Sequence, residues 1–565
     1  MMVKGASELC RDGDGENAAG TASRAGRIRS NFAAFDARVR HAERLAAAGD
    51  HAGAAVETAI AATLAAHRHC GVFASPRLER LMTGIGRTLD GGGEARDGAG
   101  ADGAPYRRVL HVCTQLAPVG GLTKMLALWI GADRGRVNGV ALTQHRGPVD
   151  ARITAAVRES GGGIHHLNHH KGDKLAWARE LRQIARGYDV VVLHIHCEDV
   201  VPLIAFADPA KSPPVLLLNH ADHLFWIGTR ISHAVINLRE AARRLAVARR
   251  GVDPARSLLL PTLITLPERQ RARSAAKQAL GVPEDSVLLV SVARGAKYRN
   301  VGPVTYADRH VDLLAAHPQA RLIVVGPGER ADWERARAAT GGRITAHAEL
   351  ADPRVFFEAA DIYVDSYPFV SSTSMLEAAA YGLPLVTRFE APAAAEIVAI
   401  NHPGLDVTAR VAHDQAAYES HLTALITDAA ARDAAGAESA AAVAGLYAQA
   451  AWLTGLDAVY AQAQALPRLP PEAGAPGPAE TPHLGEPDLR HQDMFGSDFP
   501  VSEMTKNYIG MLPLRQRVAS WLALRRAGDF SGLWEPVRLL LPEWLVRNVK
   551  DRFGPMRVRA QVPSA

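Results

Sequence analysis

Short, β-rich apolar runs alternate with helix-length segments twice along this chain, and that alternation constrains its fold more than any other feature. The first set comprises Arg108–Cys113, Gly139–Thr143, Val190–His194 and Val215–Leu218. After Pro261 the pattern restarts with Ser286–Val292, Arg321–Val325, Asp361–Val364 and Leu385–Thr387. Near-continuous Val/Ile/Leu runs suit strands covered on both faces, which is the parallel-sheet case. The spacing therefore predicts two doubly wound α/β domains, at 106–265 and 266–466. In the first, a strand ending at Cys113, the glycines Gly120 and Gly121, and a helical run from Leu122 to Ile130 form the expected opening unit.

At 565 residues the chain is too long for one core, and its 48% hydrophobic and 22% charged residues are those of an ordinary globular protein. Lys and Arg number 64 against 59 Asp and Glu, a net +5 too diffuse to indicate nucleic acid as a partner. Cys10, Cys70, Cys113 and Cys197 are scattered without CxxC spacing, so a reducing compartment is expected. Neither a signal-type apolar stretch nor an uncharged span of membrane length is found, and the reading is cytoplasmic, with peripheral contact at the inner face of a membrane as an extension of it.

Outside the α/β domains, residues 1–30 read as disordered. Residues 31–88 read as a helical hairpin broken at Gly49-Asp50, 89–105 as a Gly-rich linker, and 467–504 as a Pro/Gly-rich tether. Residues 505–565 read as a basic helical extension. Between Leu514 and Arg552, eight Lys/Arg stand against four Asp/Glu, with Trp521, Trp534 and Trp544 among them. Leu514, Val518, Trp521 and Leu522 share a helical stripe. A basic amphipathic helix with Trp can lie on an anionic bilayer, or it can be an appendage packed on the body.

The most informative segment runs from Asp365 to Pro384. It follows a strand and contains a helix stopped by Gly382, with Pro384 beyond. Ser371, Ser372 and Thr373 fall where that helix begins, and a helix N-terminus is a ready phosphate site. Glu377 lies one turn further in, within reach of a ribose attached to that phosphate. Ser374-x-x-Glu377 also satisfies a capping box that would only start the helix.

This segment resembles the C-terminal-domain signature of the group 1 retaining glycosyltransferases, of GT-B architecture: two facing Rossmann-like domains. Glu377 matches the second of that family's two glutamates, and Phe369 stands where the first would be. The departure opens kinship with inverting and protein-O-GlcNAc-type GT-B enzymes. In Ser291–Asn300 the resemblance places a diphosphate-gripping arginine at Arg294 and a lysine at Lys297, with Arg299 competing for the role. A departing nucleoside diphosphate gains negative charge, so fixed cations are what the chemistry needs. In the first domain the resemblance assigns Gly120-Gly121 to the glycine loop at the donor and His220 to the group beside sugar and acceptor.

His194 and His196 match a recurrent His-x-His. Period-two spacing puts both on one strand face, with no third metal ligand evident. The His165–His170 cluster reads as a solvated loop.

The resemblance implies transfer of a sugar from a nucleotide donor to a glycan, a lipid-linked sugar or a protein. It implies no cofactor beyond that donor and no catalytic metal. With retention the leaving phosphate helps deprotonate the acceptor, whereas with inversion His220 or Asp222 would be the base. The rivals are a sugar 2-epimerase on the same cradle and a non-catalytic scaffold.

Overall fold

A computed structural model describes residues 15–89, 105–117, 121–298, 300, 304–469, 480–497 and 499–553. The first domain is built on seven parallel strands, β1 (Arg108–Cys113), β2 (Val137–Leu142), β3 (Ile164–His166), β4 (Val190–His194), β5 (Val215–Asn219), β6 (Ala234–Asn237) and β7 (Ser257–Leu259), in the order β3-β2-β1-β4-β5-β6-β7. The second has six, β8 (Val287–Val292), β9 (Ala320–Gly326), β10 (Ile344–Ala348), β11 (Ile362–Val364), β12 (Leu385–Arg388) and β13 (Arg410–Ala412), in the order β10-β9-β8-β11-β12-β13. All pairings are parallel. Every residue of β4 and β8 is buried, as helices on both faces require. In each sheet the order reverses beside the first strand, between β1 and β4 and between β8 and β11. Such a switch point opens a crevice at the carboxyl ends of the strands, where ligands of open α/β sheets bind.

The two domains are held in register by three features. Arg239 donates to both Asp222 oxygens (2.6 and 3.0 Å) and across the cleft to the carbonyls of Ile397 (2.7 Å) and Ala399 (2.8 Å). Arg244 pairs with Glu396 at 2.5 Å. The helix Gln449–Ala465 returns to the first domain, burying Trp452, Leu456, Val459, Tyr460 and Ala463 there. Its Trp452 meets Trp129 edge-on at 5.1 Å and donates to the Pro261 carbonyl. The sequence boundary at 466 had put this helix wholly with the second domain, but its apolar face is seated on the first.

Among the described residues three helices precede the first domain, Gly15–Ala47, His51–His67 and Pro76–Thr88, so helix begins well inside the stretch expected to be disordered and a third helix joins the hairpin. Gly49 makes the turn at φ +79°, a backbone that favours glycine, and Asp50 caps the next helix through the Gly53 amide. Glu79 of the third helix is buried and accepts from the amides of Gly228, Thr229 and Arg230, fastening the module to the loop after β5.

The expected tether is also partly docked. Within it Asp488–Phe495 is helical, and the helix Val501–Tyr508 begins before its end. Glu480 accepts from Ser75, and buried Asp488 accepts from His69 (2.8 Å) and from both Arg249 terminal nitrogens (2.8 and 2.9 Å). The Pro and Gly residues that made the segment look like linker are interspersed with acids that satisfy buried partners. Most of the 89–105 linker lies outside the described residues. Asp488→Ala leaves Arg249 and His69 without their carboxylate and should lower the free energy of unfolding by about 3 kcal/mol. A urea midpoint unchanged within error would mean that this segment contributes nothing to the fold.

Candidate functional site

The site lies where the carboxyl ends of the two sheets meet. After β8 the chain makes a tight turn, Gly295–Lys297, against the loop after β9. A Cβ at Gly326, whose φ is +133°, would sit 1.8 Å from the Ala293 carbonyl, so only glycine lets these loops touch. The turn aims Lys297 at the start of the helix Ser372–Ala380. Its ammonium donates to the Val370 carbonyl at 3.0 Å and to Ser371 Oγ at 3.4 Å. Burial lowers the Lys297 pKa, Asp365 opposes that shift, and Arg294 adds to it. Arg294 is exposed, and among the described residues nothing pairs with it. Arg299 lies outside the described residues, as does Gly120. Gly121 is the first residue of the helix Gly121–Ala132.

Ser371 is the N-cap of the Ser372–Ala380 helix. The Ser374-x-x-Glu377 box does not form, because Ser374 lies inside the helix and accepts from Ser371 Oγ at 3.1 Å. The Ser371 amide is taken by Asp365, which also accepts from the Ser366 amide and Thr387 Oγ1. The amides of Ser372 and Thr373 have no partner within the helix. Burial pushes Asp365 up to about 6. Glu377 sits one turn in, half-exposed, and reaches across the cleft to Lys124 at 3.3 Å. Lys124 belongs to the first turn of the helix Gly121–Ala132, so the pair spans the two domains.

On the first domain's side, His220 lies in the loop after β5, with Nδ1 3.2 Å from the Leu218 carbonyl. That contact requires Nδ1 to carry the proton, leaving Nε2 as a free acceptor. Burial, with His196 adding, pushes His220 down to about 4, so it is neutral at physiological pH. His196 and His220 line one small open cavity with Asn219 and Trp226. Burial alone would lower His196, but Glu198, 3.7 Å from its Nδ1, outweighs that and raises it. Beneath them buried Asp199 accepts from Thr114 (2.7 Å), Thr143 (2.5 Å) and the Val201 amide, tying together the ends of β1, β2 and β4.

Three sequence expectations change here. β4 stops at His194, so the period-two argument fails. His194 is buried against Trp129 and His111, while His196 turns to the cleft. Asp222 is locked to Arg239, and although burial opposes it, that guanidinium and His223 hold it far below the carboxylate range; it is an anchor rather than a base. His165–His170 forms strand β3 and a short turn instead of a solvated loop, with His166 and His169 stacked at 4.7 Å and Asn548 bonded to the His169 carbonyl. Among the described residues no cluster of His, Cys, Asp and Glu is placed to hold a metal ion.

Sequence reasoning missed Asp365, Lys124, Glu198 and Arg239. Asp365 alone carried a local signal, as an acid at a strand end six residues before a helix cap.

Two parallel doubly wound domains, joined by a returning helix and meeting at their carboxyl edges, define the GT-B class. Residues 287–428 match the family described as glycosyl transferases group 1. The second domain is thus a group 1 glycosyltransferase domain, and the chain is a glycosyltransferase. No curated protein sequence matches the chain. Similar solved structures include a glycosyltransferase from Rickettsia africae, 9% identical over 64% of this chain and 99% of that one, TM-score 0.48. HepE of Anabaena in complex with UDP is 16% identical over 62% of this chain and 98% of its own, TM-score 0.45. An O-GlcNAc transferase mutant from Thermobaculum terrenum is 16% identical over 78% of this chain and 82% of its own, TM-score 0.43.

The raised pKa of Asp365 has a sign that can be checked. Its unfolded value is near 3.8 and its folded value about 6, so its protonated form favours the fold below that window and the contribution is lost as pH rises through about 6. The stability of the native chain relative to Asp365→Asn should therefore fall between about pH 4 and 7 in urea titrations. A difference independent of pH would show that Asp365 is ionised throughout.

Proposed function

We propose that the chain transfers a sugar from a nucleoside-diphosphate donor to a glycan, lipid-linked or protein acceptor, with retention at the sugar. The observation that carries the reading is the Lys297 ammonium at the cap of the Ser372–Ala380 helix, with unpaired Arg294 beside it. In this reading Arg294, Lys297 and the amides of Ser372 and Thr373 receive the diphosphate, and the Ser371 cap is held in place by Asp365. Glu377 exchanges Lys124 for the ribose hydroxyls. The Gly120-Gly121 loop passes close to the donor, and the nucleotide sugar serves as substrate with no further cofactor.

Cations preset where charge develops lower the barrier, because they need no rearrangement as the bond to the sugar breaks. With retention, the departing phosphate takes the acceptor proton, and His220 Nε2 orients a hydroxyl. The group 1 match supports sugar transfer over the epimerase alternative. Release of free nucleoside diphosphate only when acceptor is added would separate the two.

A screen of nucleotide sugars for slow hydrolysis identifies the donor. With it, Arg294→Ala and Lys297→Ala should each lower kcat by about 10²–10³, roughly 3–4 kcal/mol, and weaken donor binding less. Arg294→Lys should recover little, since a point charge does not reproduce bidentate phosphate contact. Full activity in both alanine variants would remove the diphosphate clamp and the mechanism with it.

The Glu198–His196 pair favours a second reading, inversion with His196 as base, and pH separates the two. A base works only when deprotonated, so the rate then falls as pH drops through the raised His196 value, and Glu198→Gln moves that limb to lower pH. With His220 in its orienting role, activity holds until about pH 4. A limb above the ordinary histidine value that Glu198→Gln shifts downward would overturn retention.

A further inference from the structure

Eight of the thirteen exposed large hydrophobic residues lie between 514 and 541, far more than chance scatter over the surface gives. Leu514, Val518 and Leu522 follow one another at helical spacing on Leu514–Ala527, and Leu533, Trp534, Val537, Leu540 and Leu541 belong to or flank Trp534–Leu540. The two helices are packed together through Trp521, whose indole donates to the Pro536 carbonyl at 2.8 Å, and Arg517, which donates to that of Leu540. Trp521, the expected contact residue, is thus half-buried, its ring tilted against Phe530 at 5.4 Å. Trp534 takes its place at the surface, 72% exposed, beside Leu533 at 92%.

The charges around this surface are mostly positive. Two of the four acids of the extension are engaged internally, Glu535 by Lys506 and Ser531, and Glu543 by Arg547. Among the described residues no carboxylate lies within salt-bridge distance of Arg515, Arg525, Arg526 or Arg538. Pairing with a second copy about a twofold axis would set these arginines against their own images. Among the described residues no helix is long and apolar enough to cross a membrane.

We propose that this surface docks on an anionic lipid bilayer, with Leu533, Trp534, Val537, Leu540 and Leu541 entering the interface and the four arginines meeting lipid phosphates. The extension then lies on the bilayer. The helix Glu543–Phe553, packed on the turn after β3, sets the carboxyl edge of the first sheet beside the lipid surface.

The test uses the full chain with no sugar substrate, so it stands apart from the transfer reading. Co-sedimentation is measured with vesicles of equimolar phosphatidylglycerol and phosphatidylcholine and with phosphatidylcholine alone, at low and high salt. Binding is expected to the anionic vesicles and to weaken with salt. The double variant Leu533→Asp/Trp534→Asp should partition at least about tenfold less. Both side chains are exposed, so the variant's thermal midpoint should be unchanged. Arg525→Gln/Arg526→Gln should shrink the preference for phosphatidylglycerol. Native-like binding by the Leu533/Trp534 variant, no binding by the native chain, or a dimer that this variant splits while vesicles go unbound would each overturn the proposal.

Discussion

The cleft exists because one guanidinium is shared between two domains. Arg239 is nearly buried and completes its hydrogen bonds with Asp222 of its own domain and the Ile397 and Ala399 carbonyls of the other. A buried cation tolerates no loss of partners, since an uncompensated charge costs several kcal/mol, so the domains cannot separate at this point without exposing Arg239 to water. The Trp452 helix adds an apolar counterpart on the far side. With two attachments of different chemistry, the carboxyl edges of both sheets are held opposite one another, and the groups on them act as a single site.

Within that frame the charges are arranged by what they can still bind. Lys297 is partly spent on a carbonyl and a serine hydroxyl, which fixes its direction while leaving donor capacity, because an ammonium carries three protons. Arg294 is unspent. Asp365 consumes one amide of the helix start and supplies a counter-charge for Lys297. The Lys124–Glu377 bridge is exposed and correspondingly weak. It is the kind of contact a ligand can displace at little cost, and it joins the two domains across the cleft.

Much of this was legible in the residue order, and what was not has a common cause. All eight strands read from the sequence are present, since strands buried on both faces must be apolar throughout. Of the strands that were not read, β3, β6, β7, β10 and β13, four lie at a sheet edge, and β3, β10 and β13 carry polar or half-exposed residues there. Lys297 and Ser371 were findable because a strand end and a helix start are local signals. Lys124 and Glu377 are 253 residues apart, and Arg239 and Ile397 are 158 apart. Nothing in either neighbourhood announces such a partner. The His194-x-His196 error has the same root, for periodicity predicts faces only while the strand continues.

The terminal segments are bound into the acceptor side by a buried polar chain. The Tyr508 hydroxyl, from the segment after the second domain, lies 2.9 Å from Thr63 Oγ1 of the N-terminal helices and bonds to Glu198. Beside it the fully buried Lys174 ammonium lies over the Tyr508 ring at 5.4 Å. Burial lowers the Lys174 pKa, and Asp199, Glu198 and Glu543 oppose this. Without Tyr508 and the helices around it, Lys174 and Glu198 would be hydrated and their mutual pull weakened by the higher dielectric. Glu198 is the group that sets His196. The protonation of a cleft histidine therefore depends on packing supplied jointly by the two ends of the chain, so the helical extensions, which the GT-B core does not need for its own closure, belong to the physics of the site.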